Sequence, residues 1–281
     1  MREIDSAVIT KTVKELFLKA NVSLPADTEE SICNACEKES SPVSAAALRT
    51  AKENLCVAKE KNMPICQDTG MAVVFLEIGC DVHVVGENIT DAVNKGVRQA
   101  YTEGYFRCSV VDDPLFDRKN TTDNTPAVIH TEFVSGDNIK ITVEPKGFGS
   151  ENMSKIKMFN PSINKDDIVK FAVETVENAS GNPCPPVVLG IGIGGTFDYC
   201  ALLAKKALAR SISVRNANPL YAALEDEILT ELNKIGVGAQ GFGGNTTALA
   251  VNIEYFPTHI AGLPVAINVN CHIARHAEVI L

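Results

Sequence analysis

Residues 182–196 read Asn-Pro-Cys-Pro-Pro-Val-Val-Leu-Gly-Ile-Gly-Ile-Gly-Gly-Thr. From Val187 to Ile191 the run is apolar and short, as expected of a strand buried on both faces. The prolines before it keep that backbone out of regular ladders, and the glycines after it suit a tight turn. Helical periodicity follows at 200–210, so the stretch predicts a strand, a turn and a helix in succession, the building unit of α/β proteins. Working outward, helices are predicted at 166–179 and 219–234, and strands at 248–255 and 263–269. Toward the N-terminus, 127–133 and 138–144 read as strands joined by Ser135-Gly136-Asp137, a hairpin signal, after a helix at 90–104. Residues 71–79 read as a β-branched strand. The first ~60 residues read as helices: Val8, Val13, Leu16 and Phe17 make one apolar face, a second helix surrounds Cys33, and a third runs from near Ser44 to near Lys61. The expectation is one mixed α/β domain over 1–281, with a helical N-terminal region and its chemistry on loops.

Bulk properties exclude some functions. The net charge of −9, with no Lys/Arg stripe, leaves nothing to neutralise nucleic-acid phosphates. The longest apolar runs, 71–76 and 187–193, fall far short of the ~20 residues that cross a bilayer. The start, MREIDSAVITKTVKELF, carries acidic residues early and lacks the apolar core of a secretory signal, so no membrane association and a cytoplasmic location are expected. An acidic protein that binds an anion needs a locally basic site.

In a reducing compartment the nine cysteines stay thiols, and their odd number agrees with that. Cys56, Cys80, Cys108 and Cys200 lie among apolar or small residues, where a thiol serves as core. Cys33 and Cys36 form a CxxC within a predicted helix, with no second pair at zinc-site spacing to answer it. Cys66, Cys184 and Cys271 differ, because each sits in an irregular segment: PICQDTG (64–70), NPCPP (182–186) and NCH (270–272). Loop thiols can converge from distant parts of a chain. Four would complete an iron–sulfur cube for electron transfer, whereas three leave one iron open as a Lewis acid.

Other segments carry chemistry with an ordinary alternative beside it. Gln67 and Asp68 follow the first loop thiol and read as substrate contacts or as plain turn chemistry. Arg107 reads as a carboxylate clamp or as a partner of Asp112 or Asp113. In Lys146-Gly147-Phe148-Gly149-Ser150-Glu151-Asn152, backbone N–H groups beside a lysine suit an anion, or simply cap a helix. Gly190 to Gly195 matches GxGxxG, which raises an NADP-binding oxidoreductase as an alternative, although no acidic residue follows at the ribose position. His259, His272 and His276 fall close together in sequence. His259, in a Pro-Thr-His loop, is the best acid/base candidate, with a structural role the alternative.

Taken in order, PICQDTG, RCSVVDDPLFDRKNT, PKGFGSEN, NPCPPVVLGIGIGGT and THIAGLPVAINVNCHIARH resemble the class I (iron–sulfur) fumarase and L-tartrate dehydratase family, from about Cys33 to the C-terminus. The likeness is to the alpha subunit of its two-subunit members, equivalent to the N-terminal domain of single-chain ones. This resemblance implies a [4Fe-4S] cluster held by Cys66, Cys184 and Cys271. It also implies substrate contacts at Gln67, Arg107, Lys146 and Gly149, and catalytic roles for Asp68 and His259 as a pair near the leaving hydroxyl. The substrate would be a small dicarboxylate. The partner would be a separate beta subunit supplying the proton-abstracting base, in a dimer of alpha–beta pairs. Fumarate hydratase, acting on (S)-malate and fumarate, is the expected activity, and L-tartrate dehydratase the alternative. A non-enzymatic iron–sulfur scaffold using Cys33 and Cys36 is a further alternative.

Overall fold

A computed structural model describes residues 1–281. In chain order its elements are β1 (Arg2–Asp5), α1 (Ser6–Val22), α2 (Ala26–Lys38), α3 (Pro42–Lys61), β2 (Met71–Gly79), β3 (Val82–Val85), α4 (Ile89–Glu103), β4 (Val128–Val134), β5 (Ile139–Lys146), α5 (Phe148–Glu151), β6 (Lys155–Phe159), α6 (Lys165–Ala179), β7 (Val187–Gly194), α7 (Phe197–Leu208), α8 (Pro219–Lys234), β8 (Ala248–Phe256), β9 (Leu263–Asn270) and β10 (Ala277–Ile280). The fold is α/β. Its residues gather into two compact units, one of Met1–Leu24, Leu55–Phe148 and Arg275–Leu281, the other of Pro25–Asn54 and Gly149–Ala274.

The first unit is built on a four-stranded sheet of order β10-β5-β2-β4, with a parallel β1-β3 pair. Ile9, Val13 and Phe17 of α1 and Val93 and Val97 of α4 share its core with Val74, Leu76, Ile139, Ile141 and Val143. Fully burying each such side chain contributes roughly 1.5–3 kcal/mol. The two strands predicted as a hairpin, β4 and β5, are not neighbours. β2 lies between them, parallel to β4 and antiparallel to β5. The burial pattern explains the difference: β2 is buried from Ala72 to Leu76 and takes the centre, while β4 exposes most of its positions and takes the edge. The Ser-Gly-Asp link passes the end of β2, where Gly79 N–H donates to Asn138 O and Cys80 N–H to Val134 O.

The second unit has a sheet of order β6-β9-β7-β8. Every residue of β7 is buried, and its two faces differ by residue size. Val187, Leu189, Ile191 and Ile193 face a core shared with α6 and α8. On the other face the alternate positions include Gly190 and Gly192, and a Cβ on either would meet the backbone of α7 at 2.1 Å. The GxGxxG match is therefore mostly strand interior pressed against a helix, not the phosphate-binding turn of a dinucleotide fold.

Of the cysteines predicted to be core, only Cys200 is buried, and burial pushes its thiol up to about 11. Cys108 is half-buried, while Cys56 and Cys80 are exposed: Cys56 falls on an outward position of α3 and Cys80 just past the end of β2. Cys33 and Cys36 lie on α2 as expected, with Cys36 packed against a small cluster of Ala35, Leu48 and Ala239.

Candidate active site

In the first unit the 64–70 loop leads into β2 and is held mainly by hydrogen bonds between side chains and backbone groups. The Cys66 sulfur accepts the Asp68 N–H at 3.4 Å. Asp68 itself is spanned between two segments, since Oδ1 accepts the Gly70 N–H at 3.0 Å and Oδ2 accepts the Phe148 N–H at 2.9 Å. The buried Tyr101 hydroxyl lies 2.6 Å from Thr69 O and 3.0 Å from Gly70 O, and its burial raises its pKa and keeps it protonated. Thr69 Oγ1 donates to Arg107 O at 2.8 Å, which ties the loop to the Arg107 segment. The Arg107 side chain is exposed and pairs with neither Asp112 nor Asp113, whose carboxylates instead accept local backbone N–H groups. Gln67 is exposed beside Cys66. Lys146 is buried at the end of β5, its Nζ donating to Gly147 O at 3.2 Å. Arg275, also buried, donates from Nε to Pro145 O at 3.1 Å and from Nη2 to Asp68 O.

In the second unit Cys184 and Cys271 are brought together through His272. The His272 N–H reaches Cys184 O at 3.4 Å and its ring Nδ1 lies 3.0 Å from the same carbonyl. Burial lowers the His272 pKa against the opposing pull of that hydrogen bond, so the ring is neutral near pH 7, and Nδ1–H is the donor that fits the carbonyl. Cys184 is exposed at a left-handed φ of 54°. The glycine-rich segment after α8 supports it, with Gln240 N–H donating to Pro185 O at 2.8 Å. Gly149 is exposed, and a Cβ there would lie 3.9 Å from Asn182 O, in the Cys184 turn. His259 stands on the exposed 257–262 loop, where Thr258 Oγ1 donates to Gly195 O at 2.8 Å. Its Nδ1 accepts the Ala261 N–H at 3.1 Å, so a neutral ring carries its proton on Nε2.

Three residues that hydrogen-bond to the backbone of these loops were not chosen from the sequence: His272, Gln240 and Arg275. An arginine inside CHIARHA, directly after the apolar pair Ile273-Ala274, was a readable sign of a buried guanidinium. The role of Gln240 depends on its backbone conformation and left no trace.

The donor set fits a thiolate-held cluster. None of the nine cysteines is in a disulfide, Cys66 accepts a backbone N–H, and the residue after Cys271 hydrogen-bonds to the Cys184 carbonyl. No group of three His, Cys, Asp or Glu side chains is arranged around a single ion. A cube places each thiolate on a different iron and does not require such a group.

The structure thus offers thiols on loops, a carboxylate held between two segments and an exposed guanidinium suited to an anion. Residues 10–280 match the family model described as fumarate hydratase (fumerase), and the chain belongs to that family of hydro-lyases. It is 43% identical over 275 residues to a Methanocaldococcus jannaschii protein provisionally named L(+)-tartrate dehydratase subunit alpha, covering 96% of each chain. It is 30% identical over 267 residues to the L(+)-tartrate dehydratase subunit alpha of Escherichia coli strain UTI89, covering 94% of this chain and 87% of that one. With the same subunit of strain K12 it is 29% identical over 277 residues, covering 97% and 90%.

Proposed function

We propose that this chain is the cluster-bearing alpha subunit of a two-subunit hydro-lyase that dehydrates L(+)-tartrate, with residues 1–281 working as one cluster-binding domain. The observation that carries the reading is the pairing of Cys184 with the Cys271 segment through His272. The expectation from the sequence was fumarate hydratase first. The names of the relatives support tartrate instead, while the family description keeps malate and fumarate as the second reading.

Cys66, Cys184 and Cys271 would hold the cluster. A [4Fe-4S] cluster so bound leaves one iron open as a Lewis acid toward a substrate hydroxyl and carboxylate. Around it, this chain's own groups bind and orient. Arg107, unpaired and exposed, offers a planar fork to a carboxylate. The Gln67 amide and the Gly149 backbone N–H offer further donors, and the buried Lys146 lies under the Gly147 turn with Nζ donating to Gly147 O. His259 presents Nε2–H as a hydrogen-bond donor toward the leaving hydroxyl, and Asp68 is its proposed partner. The base that removes the carbon-bound proton comes from a beta subunit, in a proposed dimer of alpha–beta pairs in the cytoplasm.

The test is anaerobic co-purification with the cognate beta subunit, followed by assays of L-tartrate and (S)-malate dehydration. Turnover of tartrate above malate is expected, with ~4 Fe per alpha chain and no turnover by the alpha chain alone. Serine at Cys66, Cys184 or Cys271 should each abolish iron retention, while Cys33→Ser should leave it intact. Malate turnover alone would move the assignment to the second reading. Loss of iron from Cys33→Ser with retention in Cys271→Ser would overturn the ligand set.

A further inference from the structure

The glycine-rich segment 236–244 takes no part in the chemistry above, yet it is built against the Cys184 turn. Gln240 is its one side chain that reaches that turn by hydrogen bonds. Two of its donors converge on the carbonyl of the residue after Cys184: the backbone N–H lies 2.8 Å and side-chain Nε2 3.1 Å from Pro185 O. The same Nε2 packs 3.3 Å from His272 Nδ1, the ring atom whose N–H points to Cys184 O 3.0 Å away, so this approach is a van der Waals contact between two donors and not a hydrogen bond. One amide thus lies against both the carbonyl of the residue after Cys184 and the ring that adjoins Cys271. The backbones of the two loops also touch, since a Cβ on Gly241 would lie 2.8 Å from Gly181 Cα, and Gly181 O accepts the Cys184 N–H at 3.1 Å.

The conformation of Gln240 is the second sign. It holds φ at 54°, in the left-handed region, amid a segment where glycines stand at 236, 238, 241, 243 and 244. Glycine would adopt this backbone without strain. A strained non-glycine residue persists where the surroundings over-determine it, and such outliers gather at functional sites. Cys184 shares the same left-handed φ, so both sides of the contact are held away from the relaxed backbone.

We propose that Gln240 is a positioning residue: its amide presets the Cys184 turn before iron arrives, with segment 236–244 as the rigid support. This rests on the assignment of Cys184 as a ligand, and the test separates the two. Gln240→Gly removes the amide and relieves the backbone; Gln240→Met removes the amide and keeps the backbone strain. In the full-length iron-free chain, the alkylation rate of each cysteine is read by mass spectrometry beside the thermal midpoint. After anaerobic addition of iron and sulfide, the rate of bleaching in air is read for the same chains.

Gln240→Gly should hold or raise the midpoint while Cys184 alkylates roughly threefold faster or more, as expected of a loop whose local opening becomes easier. Cys66 should react as in the unmodified chain, and the loaded protein should bleach several-fold faster. Gln240→Met should reproduce the Cys184 effect without the gain in midpoint. Wild-type Cys184 reactivity in both variants would overturn the proposal whether or not a cluster forms. Failure of the unmodified chain to take up iron would sink the cluster assignment instead, and the iron-free alkylation rates would still decide the role of Gln240.

Discussion

At the residue scale, the candidate site side chains could be picked out of the sequence, and the groups that clamp their loops mostly could not. Cys66, Cys184 and Cys271 stood out because Pro, Gly and polar neighbours mark loops, and the structure puts all three outside the buried core. Arg107 appeared with an ion-pair alternative that the structure removes. The clamps are harder to read because they act on carbonyls, which every residue carries alike. Arg275 is the clearest case. Its guanidinium is 3% exposed and donates to Pro145 O and Asp68 O, carbonyls from two distant segments. Replacing it with Met would leave both acceptors unpaired in a buried setting, where each orphaned group costs about 1–3 kcal/mol. Arg275→Met is therefore expected to lose about 2–6 kcal/mol in urea unfolding. Arg275→Lys, which keeps the charge and reaches one carbonyl, should lose less than half of that. An equal loss in both variants would place the effect in packing and not in the two hydrogen bonds.

At the element scale the sequence located most helices and strands, and it failed where pairing had to be inferred from proximity. α8 spans Pro219–Lys234, as its pattern predicted, because Asn218 accepts the Leu220 N–H as a cap and Pro219 opens the first turn. The four-residue strands β1, β3 and β10 are too short to show a period. The β4–β5 hairpin was misread because a turn motif says that the chain reverses and nothing about what slides between the two arms. The GxGxxG match was ambiguous for a related reason: glycine permits close approach without saying to what. In β7 it is α7 that approaches. A methyl group at Gly192 would meet Cys200 O at 2.1 Å, a helix backbone atom that cannot rotate away. Gly192→Ala should therefore push α7 off the sheet and lower stability by about 1–3 kcal/mol, the range for overpacking a core, read as a lowered urea midpoint. NADPH titrated onto the iron-free chain should give no fluorescence change. Micromolar binding of NADPH would restore the dinucleotide reading of these glycines.

For the whole molecule, what stayed hidden is closure between segments far apart in the chain. In the first unit Arg2 Nη1 donates to Asn138 Oδ1 at 2.6 Å and to Leu281 O at 3.1 Å. In the second, Glu39, just past α2, accepts N–H groups from Asn245 at 3.0 Å and Thr246 at 3.2 Å. Neither contact has a local pattern to read, since a charged residue after a helix looks like any solvated surface position. The Glu39 contact gives the fold an acid limit with a definite sign. Burial alone would raise its pKa, but the donated N–H groups of Ser41, Asn245, Thr246 and Ser40 together outweigh that and hold it below the ordinary value of 4.5. A carboxylate whose folded pKa is depressed stabilises the fold fully above its unfolded value and loses that contribution as pH falls through the folded one. The contribution should thus be intact at neutrality and disappear progressively below 4.5. Glu39→Gln removes the charge at every pH and leaves one oxygen to accept. It is expected to lower the urea midpoint near neutrality and to flatten the fall in stability on acidification, so that the two chains converge in acid. Parallel curves for the two chains across that range would show that the charge on Glu39 does not close the 243–246 loop.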